Sequence, residues 1–143
     1  MVIKQISVFL ENKPGQLAEF SKVLEKNHIN MRALSIAEEH DFGVLRIIVD
    51  DPYNASRVLK DEGYILQITP VLAAEVSDKP GSLVKLLTIL GDEGVNLNYT
   101  YAFVTRRKDY AYMILRVDNI ERAKTILINA GVHLVCQQDI NEM

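Results

Sequence analysis

The chain has 143 residues, of which 48% are hydrophobic and 24% charged, a composition typical of a globular protein with an apolar core. A net charge of −3 argues against a general affinity for nucleic acid, because that affinity requires a basic surface. The single cysteine, Cys136, excludes an internal disulfide framework and favours a reducing cytoplasm, and neither a secretory signal nor a membrane-spanning segment is expected.

The first half of the chain alternates strand and helix patterns. Residues 2–10 are mostly apolar at every second position, as in a strand with one buried face. The stretch from Gly15 to about Asn27 has the apolar spacing of an amphipathic helix. A second helix is predicted to begin at Asp51-Pro52, because Asp caps helices and Pro suits a first turn. The other predicted elements are a strand from Ile29 to Ile36, a hairpin turn over Glu38–Asp41, a strand over Val44–Val49, the end of the second helix near Gly63, and a strand over Tyr64–Thr69.

The second half of the chain follows the same order. Pro70 to Val76 continues from the fourth strand into a new first strand, so no linker is predicted. The next helix has leucines at i, i+3, i+4 and i+7 from Leu83 onward. Asp118 with Glu121 resembles a capping box that opens the last helix. The remaining predicted elements are strands over Val95–Val104 and Tyr110–Val117, a solvated hairpin tip at Arg106-Arg107-Lys108, a helix end at Gly131, and a final strand over Val132–Gln137.

The two halves are diverged copies of one unit. Pro14 and Pro80 are 66 residues apart (80 − 14), and Gly63 and Gly131 are 68 apart (131 − 63), so two residues are inserted in the second copy. This repeat predicts domains over 1–69 and 70–143, each with the order βαββαβ. That order predicts an α+β fold of two ferredoxin-like units, each an antiparallel sheet with two helices on one face. A unit of about 70 residues is marginal alone, so the units are expected to pack side by side.

The turn after the first strand is the most specific feature of each copy. Asn12-Lys13-Pro14-Gly15-Gln16-Leu17 recurs as Asp78-Lys79-Pro80-Gly81-Ser82-Leu83. Pro is predicted in the first helical turn, where its missing N–H has no cost. The glycine lets a ligand approach the backbone, and the exposed N–H groups of a helix start favour a carboxylate. Pro-Gly after a strand is also ordinary turn chemistry, which is the alternative interpretation.

These turns, together with His28-Ile29-Asn30-Met31 and Gly94-Val95-Asn96-Leu97, resemble the ACT domain, and the chain resembles a stand-alone tandem ACT protein. The resemblance implies that free amino acids bind where two ACT units join, without a cofactor. It implies that the backbone near the glycines takes the carboxylate, and that the residue two before the Pro and the Asn opening the second strand hold the polar groups. The predicted ligand-binding residues are Asn12, Lys13, Pro14, Gly15, Leu17, Asn30 and Met31 in the first copy, and Asp78, Lys79, Pro80, Gly81, Leu83, Asn96 and Leu97 in the second.

The two predicted sites differ in chemistry. Asn12 offers a donor and an acceptor, whereas an ionised Asp78 only accepts and suits an ammonium group. Some amino-acid-binding members of the family carry a polar residue two positions earlier, where this chain has Leu10 and Val76. Asn30 and Asn96 are also interpretable as caps of the preceding helix or as partners of the strand backbone.

The sequence favours a regulatory module over an enzyme. It contains no catalytic triad order, Walker loop or dinucleotide fingerprint, and its three histidines are scattered, so neither catalysis nor a metal site is predicted. The first hypothesis is a cytoplasmic regulatory module that senses free amino acids at the interface between its two ACT units, with a regulated enzyme as a possible partner. The alternative is a ligand-free module for dimerisation or docking that regulates a partner enzyme, and a homodimer is compatible with both. The sequence does not identify the amino acid or the enzyme.

Overall fold

In a computed structural model, residues 2–103, 105 and 108–142 are described. The chain divides into two compact units: Lys4–Thr69 is the first, and the residues from Pro70 onward, together with those up to Ile3, form the second. Arg106 and Arg107 of the predicted hairpin tip lie outside the described residues, whereas Lys108 is exposed. The elements are β1 (Ile3–Glu11), α1 (Gln16–Lys26), β2 (Met31–Glu39), β3 (Phe42–Val49), α2 (Pro52–Asp61), β4 (Ile65–Ser77), α3 (Ser82–Asp92), β5 (Leu97–Phe103), β6 (Tyr110–Val117), α4 (Ile120–Asn129) and α5 (Gln137–Glu142).

The first unit is an antiparallel sheet with two helices on one face. β3 pairs with β1 on one side and with β2 on the other. Alternate residues of β1 and β3 point to the helix face, because successive side chains of a strand alternate. These residues pack with Phe20 and Leu24 of α1 and with Ala55 and Leu59 of α2 in one buried cluster. The predicted ferredoxin-like order is confirmed.

The second unit repeats this architecture. β6 lies between β4 and β5, and both pairings are antiparallel. The helix-face cluster contains Leu86 and Leu90 of α3 and Ala123 and Leu127 of α4. β4 runs without interruption from Ile65 to Ser77, so the absence of a linker between the copies is confirmed.

The final strand predicted over Val132–Gln137 is wrong: Leu134 forms only an isolated antiparallel bridge with Ala74 of β4. Residues near Leu134 bond to β4 through Glu75 N–H to His133 O (2.9 Å) and Val135 N–H to Ala73 O (2.8 Å). The chain then turns into α5, which the sequence did not predict, because a six-residue helix has too few turns to show a period. The buried Ile140 of this helix lies with Ala73 and Tyr112 around a small apolar gap, on the sheet face opposite α3 and α4.

Two details of the predicted helix starts are wrong. The cap of α4 is Asn119, whose side chain accepts from Arg122 N–H at 3.1 Å, so Asp118 and Glu121 do not form a capping box. Pro14 and Pro80 lie in turns before the helices, since α1 and α3 begin two residues later. Asp51 does cap α2 as predicted, accepting from Asn54 N–H at 3.1 Å.

The four helices α1 to α4 end in the same pattern of backbone hydrogen bonds. At the end of α1, His28 N–H donates to Glu25 O (3.1 Å) and Ile29 N–H donates to Leu24 O (2.9 Å), which is a Schellman motif. The motif needs a residue in the left-handed region, which Gly63, Gly94 and Gly131 supply after the other helices. His28 occupies that position with φ 56° and therefore carries a steric cost that glycine avoids.

We expect His28→Gly to raise the free energy of unfolding by about 0.5–1 kcal/mol, since relief of the left-handed strain exceeds the added chain entropy of glycine. Urea denaturation of the full chain measures the change. Gly94→His, the reciprocal change in the second unit, is the matched control and is expected to lower stability by a similar amount. Equal stability of all three proteins would contradict this interpretation.

The carboxylate of Asp139 anchors the start of α5. Cys136 N–H donates to Asp139 Oδ2 at 3.0 Å, and this hydrogen bond lowers the pKa of Asp139 below its ordinary value. A carboxyl group whose pKa is lower in the folded chain stabilises the fold above its unfolded pKa of about 3.9. That contribution is lost as the pH falls through the lower, folded value.

Asp139→Ala should therefore lower the free energy of unfolding by about 0.5–1 kcal/mol at neutral pH. The difference from the unchanged chain should disappear once the pH falls below the folded pKa of Asp139. Urea denaturation across the acid range measures this, with Glu142→Ala, an exposed acid of the same helix, as control. A difference that is independent of pH would contradict an ionic origin.

Candidate functional site

Each Pro-Gly segment forms a tight turn that delivers a strand directly to a helix start. Gln16 N–H donates to Lys13 O at 3.3 Å, and Ser82 N–H donates to Lys79 O at 3.2 Å. Gly15 (φ 84°, ψ −8°) and Gly81 (φ 91°, ψ −13°) have the angles of the third position of a type II turn. Proline at the second position and glycine at the third are the residues that this turn favours, so the sequence dictates its geometry.

The helices that follow these turns begin without a side-chain cap. Neither Gly15 nor Gly81 can supply one, and no side-chain cap hydrogen bond is found at the start of α1 or α3 among the described residues. By contrast, Asp51 and Asn119 cap α2 and α4 through their side chains. Uncapped N–H groups at a helix start, with the positive end of the helix dipole, favour an anion.

The space beside both glycines is open. A Cβ atom placed on Gly15 or Gly81 would meet no atom of the chain within 4 Å. Glycine is therefore required at these positions by its positive φ, since no neighbouring side chain or backbone competes for the space. The same open space gives a small ligand access to the backbone of each turn.

The charged groups beside the two turns differ. In the first unit, Lys13 Nζ lies 2.6 Å from Glu11 Oε2. The hydrogen bond and charge attraction of this exposed pair lower the pKa of Glu11 and raise that of Lys13. The second unit has Ser77 where the first has Glu11, and Lys79 has no ion pair with any residue that the structure describes. The ammonium of Lys79 is consequently available to an anion.

The structure separates the two polar residues predicted for each unit. Asn12 follows β1 and lies beside the beginning of β3, where its N–H donates to Asp41 O at 3.0 Å. Asn30 precedes Met31, which pairs with Val49 at the opposite end of β3. A rise of about 3.3 Å per residue puts these ends of the sheet roughly 25 Å apart. Asp78 and Asn96 are separated in the same way along β6. One small ligand therefore does not contact both residues of a pair within one unit.

The side chains of Asn30 and Asn96 are exposed and form no hydrogen bond with any described residue. The alternative interpretation as helix caps is wrong for α1, where Asn27 Nδ2 donates to Val23 O at 2.8 Å instead. Asn12 and Asp78 are likewise exposed. All four side chains are available to a ligand, and their ligand-binding roles stay predictions.

The predicted apolar site residues divide into two kinds. Leu17 and Leu83, on the first turns of α1 and α3, are 37% and 40% exposed. Met31 and Leu97 are half-buried and pack against the helix-face cores of their units. The leucines are therefore accessible beside the turns, whereas the other two residues have a packing role.

A groove of about 350 Å³ in the second unit was not predicted. It lies between the first turns of α3 and the segment after α4, and Ser77 and Ser82, on either side of the second Pro-Gly turn, contribute to its walls. The signal in the sequence was the loss of two aromatic residues, since Leu86 and Val132 stand where the first copy has Phe20 and Tyr64. No group of metal-ligating side chains and no helix able to span a membrane is found among residues 2–103, 105 and 108–142.

Several solved structures are similar to this chain. A crystal structure of a protein from Bacteroides thetaiotaomicron is 40% identical, with a TM-score of 0.92, and the match covers 100% of this chain and 98% of that one. The regulatory subunit of aspartate kinase from Thermus thermophilus, in its ligand-free form, matches with 14% identity and a TM-score of 0.65 over 91% of this chain and 95% of that one. An aspartate kinase from Clostridium acetobutylicum matches with 14% identity and a TM-score of 0.55, over 89% of this chain and 32% of that one.

No match is found among curated proteins. The family model described as an ACT domain pair matches residues 1–143. With its two βαββαβ units and duplicated Pro-Gly turns, the chain belongs to the family of ACT domain pairs.

Proposed function

We propose that this chain is a regulatory module that binds a free amino acid at its Pro-Gly turns and controls a partner enzyme. The observation that carries the proposal is that the helix after the glycine begins without a side-chain cap in both units. The second helix of each unit, by contrast, is capped by a side chain. Both units of the chain have a helix start without a side-chain cap, which lowers helix stability. A bound carboxylate would satisfy the N–H groups that remain unpaired.

An amino acid also requires a partner for its ammonium group. In the second unit, Asp78 is an exposed carboxylate next to the turn, and Lys79 offers a second cation for the ligand's carboxylate. In the first unit, the acceptor that Asn12 offers to an ammonium group is an uncharged amide oxygen, and Lys13 is paired with Glu11. We therefore assign the tighter site to the second unit. The expectation that ligands lodge where the units join stays a prediction.

Regulation requires that the ligand prefer one of two arrangements of the module. The ligand changes the activity of a partner only by the difference between its affinities for those arrangements. Support for an enzyme partner comes from family membership and from the shared fold of the aspartate kinase regulatory subunit.

A thermal-shift screen of the proteinogenic amino acids tests ligand binding. We expect at least one of them at millimolar concentration to raise the melting temperature, because a ligand that binds only the folded chain stabilises it. Asp78→Asn should reduce that shift strongly, whereas Asp92→Asn, an exposed acid at the far end of α3, should not. Absence of a shift with every amino acid would contradict the proposal.

The alternative function, a docking module without a ligand, has its own support in the exposed apolar side chains of α1 and α3. Leu17, Leu83 and Val84 are 37%, 40% and 66% exposed. If docking is the whole function, Leu17→Glu and Leu83→Glu should disrupt assembly in analytical ultracentrifugation, and Asn30→Ala and Asn96→Ala should change nothing. If the sensor function holds, Asp78→Asn should weaken the amino-acid thermal shift, whereas the two Asn variants, at the opposite end of each sheet from the turns, should not.

A further inference from the structure

The groove of the second unit has the size and composition of a small-molecule site. Its volume of about 350 Å³ falls within the usual range for ligand pockets of roughly 300–1,000 Å³. Val76, Leu86, Ile89 and Val132 contribute apolar walls, and they pack against or belong to the helix-face core, so the surface beneath a ligand is firmly supported.

The first unit fills the corresponding space with aromatic side chains. Phe20 and Tyr64 pack edge to face with ring centroids 5.3 Å apart. Their counterparts, Leu86 and Val132, are smaller, and both line the groove. The groove therefore results from the loss of two rings in a unit that otherwise keeps the same core.

The charge around this space is also reversed between the units. Glu19 is next to Phe20 in the chain, and Glu62 lies two residues before Tyr64. Burial raises the pKa of Tyr64, and the charges of Glu19 and Glu62 raise it further. The second unit has Lys85 in place of Glu19 and Ala130 in place of Glu62, and both line the groove. A carboxylate would be repelled from this place in the first unit and attracted to it in the second.

The polar groups of the groove favour an anion. Lys85 is exposed and forms no ion pair or hydrogen bond through its ammonium group with any described residue. Ser82 and Tyr110 add hydroxyl groups, and His133 adds an imidazole. The one carboxylate in the walls, that of Glu75, accepts a hydrogen bond from the Tyr112 hydroxyl at 3.1 Å.

We propose that this groove is a second binding site, for a small monocarboxylate with an apolar tail. Lys85 holds the carboxylate through a charge-assisted hydrogen bond, and the tail lies on Ile89 and Val132. The site does not require an ammonium group on its ligand and does not use Asp78. It therefore goes beyond amino-acid binding at the Pro-Gly turns.

The test uses 4-methylpentanoate as the probe and the full chain labelled at Ile, Leu and Val methyl groups for NMR. We expect saturable shifts at the methyls of Ile89 and Val132, and none at Val23, the counterpart of Ile89 in the first unit. The neutral 4-methylpentanamide should bind roughly tenfold more weakly or worse, since it lacks the charge that Lys85 recognises.

Variants test the volume and the charge of the groove separately. Leu86→Phe combined with Val132→Tyr restores the aromatic pair of the first unit and should abolish the probe-induced shifts at Ile89. Lys85→Gln should weaken binding roughly tenfold, whereas Lys22→Gln, an exposed lysine of α1, should not. If the double variant fails to fold, Val132→Tyr alone and Lys85→Gln still decide the outcome.

The inference is overturned by any of three results: no saturable shift at Ile89 with millimolar probe, equal binding of the acid and the amide, or full binding by folded aromatic variants. Asp78→Asn separates this site from the turn, since it should leave probe binding unchanged. Probe binding without any amino-acid thermal shift would refute the proposed function and support this inference. An amino-acid thermal shift without probe binding would support the proposed function and refute this inference.

Discussion

The positive φ of one glycine in each copy is the constraint on which the candidate site at each Pro-Gly turn depends. Gly15 and Gly81 form the third position of a type II turn that leads from a strand into a helix. The glycine itself occupies the N-cap position, so it provides no side chain to cap the helix. Any residue with a Cβ atom would be strained in that backbone conformation. The conformation that joins β1 to α1 and β4 to α3 therefore also exposes the N–H groups that favour an anion.

The duplication provides an internal comparison between two units of one fold. Both units keep the tight turn, the capped second helix and the Schellman endings, and these features are set by short-range backbone chemistry. They differ in the side chains that fill the space between the first helix and the segment after the second. The first unit uses Phe20 and Tyr64 there and is acidic, while the second has smaller residues and Lys85.

The two units therefore share a fold and differ in the surface beside their first helix. A turn held by backbone angles tolerates changes in neighbouring side chains, because its geometry does not depend on them. A groove depends on side-chain volume, so the replacement of two rings opens it without disturbing the cluster around Leu86 and Leu90. The two units of this chain thus keep the same kind of core while the surface beside the first helix differs.

The sequence by itself determined the repeat, the order of strands and helices, the buried faces and the two Pro-Gly turns. These features follow from local periodicity and from residues with restricted backbone angles, which act over a few positions. Only the tertiary structure decided that Asn12 and Asn30 lie at opposite ends of their sheet, because strand register, not spacing along the chain, sets that distance. It also decided that Asn119 caps α4 and that an isolated bridge and α5 replace the predicted final strand. Finally, it decided that the exchange of two aromatic residues leaves a groove, since the volume between packed elements cannot be read from either element alone.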